Sequence, residues 1–264
     1  MLSTGTILRA VQAGNPSSHP AQVYLPGYCL DALDPNRQGQ ASASDDRFRS
    51  DPLADLSVFG EVAFIRRRVK RGEAAFHIGD PFGAIYVVRS GFFKTTNVHQ
   101  EGHEQVVGFF MRGELFGLDG IASETYNCTA TALEDSEVLA LPFALMQDLS
   151  QNNRLRQDKL HQILAREITR DHGMMLLLGS MGADARLASF LVSLSARLAR
   201  QGYSRSDFVL RMTREDIGSY LGLKLETVSR MFSEFQRRGF LTVQQKHVRI
   251  LDLEGMQRLR AVAP

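Results

Sequence analysis

The chain has 264 residues, 44% of them hydrophobic and 23% charged, with a formal net charge of +2. These proportions exclude collagen, a continuous coiled coil and a fully disordered chain, and the length suits one large or two modest domains. Two cysteines, Cys29 and Cys128, exclude a multi-disulfide framework and any metal site that takes four thiolates from one chain.

In chain order, the N-terminal stretch MLSTGTILRAVQAG has one basic residue and no good cleavage site, so no secretory signal is expected. The longest strongly apolar run, Met174 to Leu178, falls far short of the ~20 residues a membrane helix needs. The expected location is therefore cytoplasmic, with no membrane partner. Residues 1–54 form an extension expected to be partly disordered, because Asp34 to Asp46 is small, polar and turn-rich. A separate β-rich unit is expected over 55–145. There Glu61–Val69, Ala84–Val88, Gly91–Val98, Gln105–Phe110, Cys128–Leu133 and Glu137–Leu141 are short β-rich runs separated by Gly-marked turns. Such spacing predicts an all-β sandwich, roll or barrel.

The period then changes. From Pro142 to Leu178 there is no further proline and no glycine before Gly173, which predicts a long helix, with 146–181 as a connecting unit. Leu164, Ile168, Asp171, Met175 and Leu178 recur at spacings of 4, 3, 4 and 3, the a/d seam of a coiled coil. The pattern fits a helix shared by two copies, or one packed on its own β domain. An acid on that seam, Asp171, would face its twin and weaken or tune the pairing.

The last unit, 182–264, holds 14 Lys and Arg against 8 Asp and Glu, whereas residues 1–181 hold 17 against 21. A basic unit on an acidic remainder suits a polyanion. Thr213 can cap a helix, with Asp216 three residues on as an imperfect capping box. That helix would end at Gly222, and a second would run from Leu225 to Arg237 or Arg238. Gly218 lets the two approach closely, while Ile217, Leu221, Leu223, Val228 and Met231 fill the wedge. This is a helix-turn-helix pattern. Beyond Gly239, Phe240–Val243 and Val248–Asp252 alternate as two strands of a hairpin wing carrying Lys246.

On the second helix Glu226, Ser229 and Arg230 stand at i, i+3 and i+4 and share a face. Arg can fork onto guanine, Glu can accept from cytosine N4, and Ser can meet several base edges. A glutamate repels phosphate, so its presence on such a face points to base reading. The alternative is an i,i+4 ion pair between Glu226 and Arg230, worth about 0.3–0.5 kcal/mol. Thr213, Arg214, Lys224 and Lys246 are the phosphate candidates.

The segment Thr213–Phe235 resembles the bacterial CRP/FNR superfamily of transcription regulators, and within it the FNR branch. That branch carries an E-x-x-S-R reading motif, here Glu226-Thr227-Val228-Ser229-Arg230. The resemblance continues upstream through Arg186 to Leu191, Leu194 to Arg197, the Leu164–Leu178 helix and Gly113 to Asp119, covering about Ala54 to Leu259. It implies an α+β fold: an N-terminal β-roll like a cyclic-nucleotide-binding jelly roll, a long dimerisation helix and a C-terminal winged helix-turn-helix. It also implies a homodimer on double-stranded DNA, with TTGAT-like half-sites about one helical turn apart, and contact with RNA polymerase as an activator. Asp171 matches an acid that restrains dimerisation in FNR relatives.

The sensor departs from the family pattern. Oxygen-sensing relatives hold an iron–sulfur cluster through three N-terminal cysteines and one central cysteine. Here Cys29 matches the last of the N-terminal group, Leu139 takes the central place, and Cys128 stands eleven residues earlier. Two thiolates cannot replace four, so a cluster is disfavoured. The cyclic-nucleotide branch uses a Glu for the ribose, matched by Glu114, and an Arg-Ser pair for the phosphate, which falls on Tyr126-Asn127. Neither supplies positive charge, so cyclic AMP is disfavoured. Cys29 and Cys128 stand as candidate redox thiols. For a haem, His77, His99, His103, His161 and His172 are nominal axial ligands; His99 and His103 read as a turn, and no metal site is assigned. An enzyme such as a cupin-like metal oxygenase would need clustered His and carboxylates on neighbouring strands, and no H-x-H pair, Gly-rich phosphate loop or nucleophile elbow occurs. A pure effector-binding module leaves the reading helix unexplained. The expected signal is oxygen, redox chemistry or a small molecule.

Overall fold

The structure is a computed structural model and describes residues 64–98, 102, 104–151 and 153–261. The expected N-terminal extension with Cys29, and the residues His99 and His103, lie outside the described residues. Strands β1 (Ile65–Val69), β3 (Ala84–Ser90), β6 (Leu115–Phe116) and β8 (Ser136–Pro142) form an antiparallel sheet in the order β1-β8-β3-β6. Strands β2 (Ala74–Phe76), β4 (Phe92–Val98), β5 (Glu104–Met111) and β7 (Thr129–Ala132) form a second, in the order β2-β7-β4-β5. In β7, alternation of half-buried threonine with buried alanine matches the two-residue pleat. The interior between the sheets is aromatic. Phe76 stacks on Tyr126 with centroids 3.8 Å apart, Tyr86 on Phe116 at 5.4 Å, and Phe93 and Phe110 close on Phe116. This is the expected roll, with two strands, β2 and β6, too short to show a period in sequence.

The long helix is not continuous. Helix α1 (Phe143–Gln151) stops, and α2 (Arg154–Ser180) restarts behind Asn153, whose side chain accepts from the Arg156 amide at 3.2 Å. An asparagine that satisfies an orphan amide favours a new helix start over continuation. One face of α2 is buried through Ile163, Gly173 and Leu177. Ile163 joins Ile85, Val87, Leu115, Leu141 and Met146 in a core of its own.

The C-terminal unit is built on α3 (Ala183–Arg200), which buries ten residues between Ala185 and Ser195. Around it lie β9 (Asp207–Val209), α4 (Arg214–Leu221), α5 (Leu225–Arg237), β10 (Leu241–Gln244), β11 (His247–Ile250) and α6 (Leu253–Ala261), with the sheet order β10-β11-β9. The wing is thus the expected hairpin, joined by a third strand the sequence did not suggest.

Roll and C-terminal unit share one core. Phe92, Val106, Phe109 and Met111 of the roll join Leu177, Phe190 and Tyr220, and the Phe109 ring lies 5.9 Å from Phe190 and 5.0 Å from Tyr220. Strand β5 is an edge strand whose outer amides need partners. Helix α4 covers that edge, and the Val106 amide donates to Ser219 Oγ at 2.8 Å.

Candidate nucleic-acid interface

The reading head begins at Thr213. Its hydroxyl accepts from the Asp216 amide at 3.0 Å, and Asp216 Oδ2 accepts from the Thr213 amide at 2.8 Å. The capping box expected to be imperfect is complete, because Asp at this position reaches back as Glu would. Helix α4 ends at Gly222 in the left-handed region, φ 62°, a conformation that favours glycine. A Cβ on Gly218 would sit 2.6 Å from the Leu223 carbonyl oxygen, so the turn closes only over a glycine. Val228, Phe232 and Phe235 are buried on the inner side of α5.

That burial fixes what faces outward. Glu226, Ser229 and Arg230 are exposed along one side of α5, as the spacing predicts. Among the described residues Glu226 and Arg230 make no ion pair, with each other or with any neighbour. Glu226 also lies in the first turn of α5, where a carboxylate meets the positive end of the helix dipole. Lys224 precedes the helix, exposed.

The other phosphate candidates are placed unequally. Arg214 is half-buried with its guanidinium 3.5 Å above the Phe232 ring, and burial lowers its pKa. Its charge is already used in a cation–π contact. The Thr213 hydroxyl also donates to Asp216 Oδ2 at 2.8 Å. Lys246 stands in the two-residue turn of the wing and reaches the Arg211 carbonyl at 3.4 Å. Beside that turn Asp207 pairs with His247 and, at 2.9 Å, with Arg249 farther along β11.

Three charged groups anchor the head. Arg186 donates to Met181 O at 2.8 Å, Leu178 O at 2.7 Å and Leu221 O at 3.1 Å, closing the C-terminal ends of α2 and α4 together. Arg197 in α3 forks onto Glu114, with Nε to Oε1 at 2.8 Å, and donates to Phe109 O at 2.7 Å. Burial alone would push the Glu114 carboxyl up; the charge and hydrogen bonds of Arg197, with Arg170 and the Met111 amide, reverse this and hold it below its ordinary value. Lys94 in β4 meets Asp216 at 2.7 Å. Burial raises the Asp216 carboxyl, but Lys94 and Thr213 overcome it and the net shift is downward.

Comparison with known proteins agrees with this arrangement. Residues 66–153 match the cyclic nucleotide-binding domain family, and residues 185–259 the Crp-like helix-turn-helix domain. The transcriptional regulatory protein btr of Bordetella pertussis is 42% identical over 79% of this chain and 86% of that protein. The chain belongs to the CRP/FNR family of transcription regulators. Another member, the transcriptional activator protein anr of Pseudomonas aeruginosa, is 44% identical over 76% of this chain and 82% of its own length. Among solved structures, FixK2 from Bradyrhizobium japonicum superposes with a TM-score of 0.71 at 26% identity, over 77% of this chain and all of that one.

The CRP/FNR roll implies a cyclic nucleotide, and the residues present do not fit one. Glu114, the family's ribose position, is engaged by Arg197. At the phosphate position Tyr126 is buried with its hydroxyl on Ala84 O at 2.7 Å, and Asn127 bonds Asp119 and Ser123. Neither brings positive charge. Stacked rings fill the interior. Cys128, a candidate redox thiol, is buried, and burial together with Asp119 raises its pKa well above the ordinary thiol value, so no thiolate is available near neutral pH. Among the described residues no group of three or more His, Cys, Asp or Glu is placed to hold a metal ion, and no helix is long and apolar enough to cross a membrane.

The seam residues divide. Ile168 and Met175 are 57% and 69% exposed, Asp171 is exposed beside them and Leu164 is half-buried. Leu178 is half-buried and also packs on the head's own core, its Cδ2 3.7 Å from where a Gly222 Cβ would stand. Arg186 ties the end of α2 to the same unit through the Leu178 carbonyl.

Proposed function

We propose that the protein binds, as a homodimer, a palindrome with TTGAT-like half-sites and activates transcription through RNA polymerase in response to oxygen, redox chemistry or a small molecule. The observation that carries the reading is the outward face of α5, where Glu226, Ser229 and Arg230 are exposed over the buried Val228 and Phe232. Arg230 reads guanine in the major groove and Glu226 selects against bases without an amino donor. Lys224 and Lys246 hold phosphates on either side, with Thr213 and Arg214 closer to the body of the head. The exposed stripe of α2, with Ile168 and Met175, pairs with a second copy, and Asp171 tunes that contact. The FNR-branch resemblance supports the half-site, and relatives named as activators support the direction of control.

Fluorescence anisotropy on a TTGAT palindrome and on scrambled DNA tests this reading. Arg230→Ala is expected to cost about 1–3 kcal/mol on the palindrome and little on scrambled sequence. Equal losses on both would remove the base-reading role.

A further inference from the structure

Besides the more exposed Arg211–Glu134 pair at 3.0 Å, two ion pairs cross from the roll to the reading head. Glu114, in the turn before β6, meets Arg197 of α3, and Lys94 of β4 meets Asp216 of α4. The charged side chains of both pairs are mostly withdrawn from water, between 11% and 23% exposed. Each acid is also tied to the architecture around it. Glu114 Oε2 accepts from the Met111 amide at 3.0 Å, and Asp216 closes the cap of α4. Between the two pairs lies the covered edge of β5, where Ser219 accepts from the Val106 amide and its carbonyl accepts from Gln105. These contacts all lie on the roll side of the head. The outward face of α5 is uncovered in the tied arrangement, so the ties and DNA do not compete.

We propose that Glu114 and Lys94 are positioning residues for DNA binding: through Arg197 and Asp216 they lock the reading head to its own roll, so that the two reading helices of a dimer stand at a fixed separation with no bound cyclic nucleotide. The inference rests on the proposed dimer on a palindrome. It makes the acid at the ribose position of the cyclic-nucleotide family a structural tie in this chain. Bivalent binding gains only when both heads fit the span at once. Loosening the ties therefore weakens the palindrome and leaves a single half-site alone.

The test uses the full chain and three kinds of duplex: a TTGAT palindrome, a single half-site, and palindromes with spacers longer or shorter by one and two base pairs. Lys94→Gln combined with Glu114→Gln is expected to weaken the palindrome by about tenfold or more, to leave the half-site within about twofold, and to flatten the spacer preference. Lys94→Arg, which keeps the charge, should restore wild-type behaviour at that tie, and Lys94→Gln alone gives a milder version if the double variant is unstable by thermal melting. Cyclic AMP at millimolar concentration should leave every affinity unchanged. An unaltered palindrome affinity and spacer profile in the folded variants overturns the proposal. So does an equal loss on half-site and palindrome, tighter binding by the variants, or a response to cyclic AMP. A wild-type protein that does not distinguish the palindrome from scrambled DNA would instead defeat the reading under Proposed function.

Discussion

Two glutamates, Glu114 in the roll and Glu226 in the reading head, sit in opposite circumstances. Glu114 has every oxygen committed, to Arg197 and to the Met111 amide, and lies where two units close on each other. Glu226 stands in water at the start of α5 with no ion-pair partner among the described residues. The first resembles a ligand-binding position and is occupied by its own chain. The second has nothing to gain from the fold beyond the helix dipole, and its surroundings are open. In this molecule Glu114 is turned toward assembly and Glu226 toward solvent.

The sharpest way to break that contrast is Arg197→Ala, which strands Glu114 in a site mostly closed to water. A loss of about 3–5 kcal/mol in urea unfolding is expected, against a change within about 0.5 kcal/mol for the exposed Arg230→Ala. Similar costs for both would erase the distinction. Acid titration comes next. Glu114 and Asp216 have carboxyls held below their ordinary values of 4.5 and 3.8, so the stability they add is present above those values and is lost as pH falls through the folded ones. Glu167 acts in the opposite sense: burial first, with Glu114 and Asp171 adding to it, raises its carboxyl against the pull of Arg170, and its contribution is present below 4.5 and fades as pH rises. The wild type should therefore weaken as pH drops below 4.5, and Glu114→Gln should flatten that slope in unfolding measurements repeated across the range. A smaller loss belongs to the cap: Thr213→Ala should cost about 1 kcal/mol in thermal melting, and more than this would show that the Asp216–Lys94 tie depends on the cap as well.

The reading head was legible because its grammar is local. Thr213, Asp216, Gly218 and Gly222 stand within ten residues, and each enforces a cap, a close approach or a positive φ that no distant contact alters. The roll was legible where strands were long enough to alternate. It was illegible at β2 and β6, and at β9 in the wing sheet, whose two or three residues carry no period. The break before Asn153 was hidden because neither proline nor glycine marks it; the side-chain cap does. The contact of Leu178 with the core of the C-terminal unit was hidden because a heptad count assumes one partner for a whole helix. The ties were invisible for a simpler reason. Lys94 and Asp216 are 122 residues apart and Glu114 and Arg197 are 83 apart, distances over which spacing says nothing.

Arg186 joins the long helix of the molecule to its head. A guanidinium that gathers carbonyls from the last turns of α2 and α4 leaves no slack between the shaft of the molecule and its reading head. Lysine, a single ammonium point, could not reproduce the three-way grip of a planar fork. The junction at Gly182 is thereby braced from both sides, and a change in the direction of α2 would carry the end of α4 with it.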